Sequence, residues 1–175
     1  MEPARARAVL RALHDAQGGF YAGGPDDGLR ALLVDDIAWH VPGDNAIAGD
    51  YRGREAVMDY FAARRDLAGG TFRMHPGEVL LGDGDHVAVL TDGTAVVAGR
   101  EWRWSTVGLY RLRGAQVAAC WLLALDQAAF DAVWRALSPA WVGWPGGLPG
   151  RLARRPSAGA SRPSRPRGLW PFGKT

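Results

Sequence analysis

The apolar residues near the start of the chain recur at helical spacing. Between Pro3 and about Tyr21 they form one stripe, most of the arginines lie off it, and Gly23-Gly24-Pro25 follows. Residues three and four positions apart share one face of a helix, so this pattern predicts a helix over 3–21. The stripe comprises Val9, Leu10, Leu13, Ala16 and Phe20.

Two further helices are predicted before residue 70. Asp26 and Asp27 are favourable caps for a short helix. The apolar residues that it would bury are Leu29, Leu32 and Leu33. A longer helix is predicted over 54–66, closed by Gly69-Gly70. One face of that helix holds Val57, Tyr60, Phe61 and Arg64.

Alternation with period two marks the strands. Residues 37–41 form one predicted strand, stopped by Pro42-Gly43, and residues 44–50 read as a polar loop. Four more strands are predicted, with Pro76 indicating a bulge or an edge in the first of them. These strands span 71–81, 86–98, 100–113 and 115–125, and a helix capped by Asp126 follows.

The order of these elements indicates the fold class. Helices come mostly first and long strands with short connections later, which favours an α+β fold with an antiparallel meander. We expect a cone-shaped, curved antiparallel sheet wrapped over the N-terminal helices and enclosing a pocket. The domain is predicted to span 1–137.

Cysteine usage and the N-terminus bear on the compartment. Cys120 is the one cysteine among 175 residues, which excludes an intrachain disulfide and an all-cysteine metal site. The charged N-terminus lacks the apolar segment of a secretory signal, and no uncharged run of about 18 apolar residues is present. We therefore expect a cytoplasmic protein.

The basic character of the chain comes from its C-terminal segment. Residues 138–175 carry seven of the 21 basic residues and none of the 18 acidic ones, so residues 1–137 are net acidic. The high isoelectric point therefore does not indicate a DNA-binding domain. The segment is rich in Pro, Gly, Ser and Arg, and is predicted to be a disordered tail with weak affinity for anionic surfaces.

Three segments, in order, resemble a known family. They are LLVDDIAWHVPG, AGDYRGREAVMDYFA and DQAAFDAVW. Together they resemble the SnoaL-like branch of the nuclear transport factor 2-like superfamily, over roughly residues 4–137. The resemblance implies a small-molecule pocket, but the superfamily includes isomerases, cyclases, dehydratases and non-catalytic binding proteins, so the fold does not fix the function.

His40 and Asp92 are the candidate catalytic residues. Isomerase-like relatives carry a carboxylate base near the end of the first strand. Matching Gly43 to the family glycine puts that position on His40, whereas matching Pro42 puts it on Val41. A neutral imidazole in a pocket can act as a base, but strand alternation places His40 opposite Trp39. Asp92 either projects into the cavity or marks a β-bulge with Gly93.

Aromatic and apolar side chains are the candidate pocket walls. Trp102, Trp104 and Thr106 share one face of their strand, and Cys120 is expected to be buried and inert. The predicted ligand-binding residues are Trp39, Met58, Phe61, Trp102, Trp104, Thr106, Trp121 and Leu123.

Several functions remain open from the sequence. One is a cofactor-independent isomerase, cyclase or lyase that uses His40 on a hydrophobic metabolite. The others are a non-catalytic binding module for an apolar small molecule and a dimeric interaction module. The four histidines are scattered without metal-ligand spacing, so neither a metal nor another cofactor is predicted. Both faces of the last two strands are apolar, which predicts a homodimer through the outer face of the sheet.

Overall fold

The computed structural model describes residues 2–81 and 86–138. Its helices are α1 (Pro3–Tyr21), α2 (Asp27–Ala31), α3 (Arg54–Leu67) and α4 (Gln127–Leu137). Its strands are β1 (Leu33–Val41), β2 (Gly49–Arg52), β3 (Arg73–Leu81), β4 (His86–Val97), β5 (Arg100–Arg113) and β6 (Gln116–Ala124). The expected α+β class is confirmed.

One curved, unclosed sheet contains all six strands in the order β2-β1-β6-β5-β4-β3. Strands β3 to β6 form the predicted antiparallel meander. β1 pairs with β6 in parallel, with Trp39 opposite Cys120, so the sheet is mixed. Strand β6 therefore joins the N-terminal part of the chain to the meander.

Side-chain alternation divides the sheet into an inner and an outer face. Along β5, Trp104, Thr106, Gly108 and Tyr110 are buried, and the residues between them are half-buried. The inner face packs against the buried stripes of α1, α3 and α4, which include Leu13, Phe61 and Trp134. Burial of this apolar surface supplies the main driving force for the fold.

The region around β1 differs from the sequence prediction. Leu33 lies in β1 rather than in the second helix, because it pairs with Val117 of β6. Residues 49–52, the first two of which belonged to the predicted polar loop, form the short strand β2 against β1. At Leu33, pairing with a distant strand therefore outweighs the local helical pattern.

Two local predictions are confirmed. The β3–β4 register shifts between Pro76 and Val79, as expected where a proline cannot donate to the ladder. The Asp126 side chain accepts a 2.9 Å hydrogen bond from the Ala129 amide and caps α4.

Two predicted segments cannot be compared with the structure. The turn at 82–85 lies outside the described residues, as does the basic tail of 138–175 apart from Ser138. Among the helices that are described, none is long and apolar enough to cross a membrane.

Candidate functional site

A small cavity lies between the inner face of the sheet and the helices. It has a volume of about 20 Å³ and combines aromatic walls with polar groups. A cavity of this size holds about one water molecule. Its lining includes His14, Gln17, Trp39, Arg64, Trp104 and Tyr110.

His14 projects from α1 into this cavity. Its Nε2 atom lies 3.3 Å from the hydroxyl of Tyr110, within hydrogen-bond distance. Burial lowers the pKa of His14 from 6.5 to about 4, against a smaller opposing effect of Asp15. The imidazole is therefore neutral at pH 7. Burial likewise raises the pKa of Tyr110, which keeps its hydroxyl protonated.

Arg64 lines the same cavity from α3. Its side chain is buried, and the residue is only 5% exposed. The guanidinium carbon lies 4.4 Å from the ring centroid of Phe72 and 5.3 Å from that of Tyr60. Nη1 donates a 3.3 Å hydrogen bond to the Tyr21 hydroxyl. Arg64 is thus a charged donor within an aromatic cage.

Several buried donors near Arg64 have no acceptor. Within the described part of the chain, the Arg64 Nε, the Tyr60 hydroxyl and the indole nitrogens of Trp39 and Trp134 lack hydrogen-bond partners. Buried polar groups are normally paired, so this part of the interior carries an excess of donors.

A larger groove lies at the surface beside the cavity. It has a volume of about 290 Å³, runs between α1 and β3, and shares His14 with the cavity. Its other lining groups include Arg7, Arg11 and Glu78. His14 therefore stands between the interior and a solvent-open groove.

Only some of the predicted pocket residues line the cavity. Trp39, Trp104 and Thr106 do so. Met58 and Phe61 are buried in the core but do not contribute to the lining. Trp102 is half-buried near the start of β5, where the Arg100 guanidinium lies 4.0 Å from its ring centroid.

The other two predicted pocket residues, Trp121 and Leu123, face outward. The inward positions of β6 are Cys120 and Leu122, because Cys120 pairs with the inward Tyr110 of β5. Strand alternation then directs Trp121 and Leu123 to the outer face. Burial raises the pKa of the Cys120 thiol well above its usual range.

His40 also lies on the outer face. Its neighbour Trp39 is buried, and alternation turns His40 the other way. His40 Nδ1 lies 2.5 Å from Asp50 Oδ1, and its ring stacks on Trp121 with centroids 5.5 Å apart. The structure does not bring His40 to the cavity.

Asp92 occupies the outer face at the other side of the sheet. Its carboxylate accepts a 2.5 Å hydrogen bond from the Ser105 hydroxyl. The β4–β5 register runs without a shift through this point, so no bulge forms with Gly93. Gly93 instead leaves space for Trp104, since a Cβ atom there would overlap its indole ring. His40 and Asp92 are therefore not brought together.

Sequence reasoning missed three polar residues of the cavity. His14, Gln17 and Tyr21 lie four, seven and eleven positions after Leu10, so these four residues share one buried stripe of α1. Arg64 was recognised on the apolar face of its helix but not as a site residue. The signal that could have identified these cavity residues in the sequence was the presence of polar side chains on otherwise apolar helical stripes.

Comparison with known proteins agrees with this architecture. The model of the SnoaL-like domain family matches residues 8–120. Bal32a, from a soil-derived mobile gene cassette, is 27% identical with a TM-score of 0.67, over 75% of this chain and 99% of that one. A comparison with curated proteins finds no match.

Two further solved structures show the same fold. TerC, co-crystallised with polyporic acid, is 19% identical with a TM-score of 0.61, over 73% of this chain and 96% of that one. An NTF2-like protein from Burkholderia xenovorans LB400 is 22% identical with a TM-score of 0.59, over 77% and 98% of the two chains. Because the family model covers more than half of the sequence, the chain belongs to the SnoaL-like domain family.

Proposed function

We propose that this chain is a small-molecule-binding domain whose ligand site is the interior cavity together with the groove beside His14, the cavity taking the ligand's polar head group and the groove its body. The observation that carries the proposal is the convergence of His14, Arg64 and Tyr110 on one aromatic-walled space. Ligand sites typically combine apolar walls with a few converging polar groups. The fold neighbour TerC was crystallised with polyporic acid, which is consistent with small-molecule binding on this fold.

Indole N–H resonances in NMR spectra provide a direct test. Trp39 and Trp104 line the cavity, whereas Trp121 lies on the outer face. Titration of labelled protein with benzamide, a flat neutral probe, is expected to shift the Trp39 and Trp104 resonances and leave Trp121 unchanged. Shifts confined to Trp121, or no shifts, would count against the interior site.

Two adjacent residues on opposite faces provide matched variants. Thr106 lines the cavity, and Val107 follows it on the outer face. Thr106→Leu is expected to occupy the cavity and weaken benzamide binding about tenfold, because the added methyl groups take the ligand's space. Val107→Leu adds volume on the other face and should leave the affinity unchanged.

A second candidate function is cofactor-independent proton transfer, favoured by the hydrogen bond between His14 and Tyr110. A neutral imidazole can accept a proton from carbon, and a protonated tyrosine hydroxyl can donate a hydrogen bond to the resulting enolate oxygen. Those steps occur in isomerases, cyclases and lyases that act on carbonyl compounds. The chemistry requires no metal.

Exchange of the α-hydrogens of 2-tetralone for deuterium would reveal this activity. The expected result is exchange above the background rate that is lost in both His14→Gln and Tyr110→Phe. If the wild-type protein binds benzamide but exchanges the hydrogens of 2-tetralone only at the background rate, the result would contradict the proton-transfer function. It would remain consistent with the binding function.

A further inference from the structure

We propose that the interior cavity is a carboxylate-binding site and that Arg64 recognises the anion. This inference rests on the interior ligand site proposed above and assigns its ligand class. The ligand is a carboxylic acid whose charged group enters the cavity, while its apolar body extends past His14 towards the groove.

The buried guanidinium of Arg64 has no counter-ion among the described residues. A buried charge is costly unless it is paired, and buried arginines usually meet a carboxylate. No such ion pair joins Arg64 to the acidic residues in the described ranges 2–81 and 86–138. A bound carboxylate would supply the opposite charge.

Among the described residues, unpaired buried hydrogen-bond donors are concentrated around Arg64. A guanidinium carries five N–H donors and no acceptor. In the described part of the chain, the Arg64 Nε and the indole nitrogens and hydroxyl of Trp39, Trp134 and Tyr60 are unpaired, and of these residues Arg64 and Trp39 line the cavity. A carboxylate has only acceptors, so it complements a donor-rich interior better than an amide, alcohol or amine does.

The cavity adjoins the groove at His14. Arg64 and His14 line the cavity, and His14 also lines the groove. Because the cavity measures only about 20 Å³, it suits a head group, and the groove of about 290 Å³ suits a larger body. The groove is lined by two arginines, Arg7 and Arg11, and two acids, Asp15 and Glu78, so its charges balance, and the net positive charge at the cavity comes from Arg64.

The aromatic cage supplies the competing explanation. Four rings surround the guanidinium, and cation–π contact partly compensates for its burial. A purely structural Arg64 would support the core without distinguishing an anion from a neutral molecule of the same shape. Selectivity between two such molecules therefore separates the explanations.

Benzoate and benzamide form the required pair, since they share a ring and differ in the charge of the head group. Calorimetric titration at pH 7 is expected to show benzoate binding at least about tenfold more tightly, the range of a charge-assisted hydrogen bond. In a parallel NMR titration, benzoate should shift the Arg64 Nε–H resonance further than benzamide does at saturation, because only benzoate brings a charged acceptor to the guanidinium.

Two variants on α3 assign the selectivity to one residue. Arg64→Gln removes the charge and is expected to bring benzoate and benzamide to equal affinity. Arg65→Gln removes the same charge from the next residue, which contacts Asp66 and Phe20, and should leave the preference intact. If Arg64→Gln fails to fold, the wild-type preference and the Arg64 Nε–H shift still decide the question.

Each outcome separates the two proposals. Equal affinity for benzoate and benzamide in the wild-type protein overturns the carboxylate site and leaves the interior ligand site standing. A benzoate preference that survives in Arg64→Gln also overturns it, because a group other than Arg64 then binds the anion. Absence of binding by both probes overturns both proposals.

Discussion

The His14 Nε2 atom and the Tyr110 hydroxyl lie 3.3 Å apart, although 96 positions separate the two residues in sequence. Their rings meet edge to face, with centroids 5.9 Å apart. Helix α1 is thereby fixed to the middle of the sheet by a polar contact inside an apolar core. Burial of the His14 imidazole in that core lowers its pKa and makes the stability of the fold sensitive to its protonation.

We expect stability to fall between about pH 6.5 and pH 4. The pKa of His14 is lowered to about 4 in the folded protein from 6.5, so in this range the unfolded state binds a proton that the folded state does not. The contribution of His14 to the free energy of unfolding is complete above pH 6.5. It is lost as the pH falls to about 4, and the loss amounts to about 3 kcal/mol. Urea denaturation at successive pH values measures it.

His14→Gln is the matched control for this loss. Glutamine does not titrate in the range and retains polar atoms that can reach the Tyr110 hydroxyl. The variant should lose less stability than the wild-type protein on acidification from pH 6.5 to pH 4. Identical pH profiles for the two proteins would show that His14 is not responsible.

Gly108 is expected to tolerate no side chain. Tyr110 folds over it, and a Cβ atom at Gly108 would lie 2.6 Å from the Tyr110 hydroxyl oxygen. Gly108→Ala should therefore lower the free energy of unfolding by about 1–3 kcal/mol, the usual cost of overpacking. Gly18→Ala is the control, because space is open at Gly18 and alanine favours a helix. Chemical denaturation of both variants tests the prediction.

His40 and His14 are alternative bases for any proton transfer. The sequence pattern predicts that His40→Ala abolishes turnover with little change in melting temperature. The geometry favours His14, because His40 pairs with Asp50 on the outer face. We expect the 2-tetralone exchange rate to survive His40→Ala and to be lost in His14→Gln. Loss of exchange in His40→Ala and its survival in His14→Gln would instead identify His40 as the base.

The outer face of the sheet is expected to pair with a second copy of the chain. Leu90 and Leu123 expose 40% and 48% of their surface there, beside the half-buried Trp121. Exposed apolar patches of this kind mark association sites. Leu123→Lys should convert a dimer into a monomer in sedimentation experiments, whereas Ala12→Lys on the exposed side of α1 should not. A wild-type protein that stays monomeric at high micromolar concentration would contradict the dimer.

The sequence predicted the elements of the fold better than the site. The long periodic segments were recognisable because apolar spacing records which face is buried, so α1 and β5 were predicted with the bounds that the structure shows. Strand β2 was missed because Gly49–Arg52 carries little apolar signal and depends on pairing with β1. Pairing between distant strands is not recorded in local periodicity.

The candidate site was harder to predict because the apolar character of β6 did not distinguish its two faces. Trp121 and Leu123 look like pocket residues, yet the register with Tyr110 directs Cys120 and Leu122 inward instead. Arg64 lay on a predicted core face, where a charged residue reads as an exception rather than as a ligand contact. Its position in the cavity depends on the rings that surround it, and those rings come from several elements.

The parallel pairing of β1 with β6 also constrains the order in which the protein matures on the ribosome. Trp39 and Cys120 are paired although they are about 80 residues apart, so β1 cannot pair with β6 until this last strand has been synthesised. Such non-local pairing slows folding and leaves apolar surface exposed in the meantime. A nascent chain halted before residue 116 would lack β6, the strand that lies between β1 and β5. Its apolar core residues would then be exposed to chaperone binding.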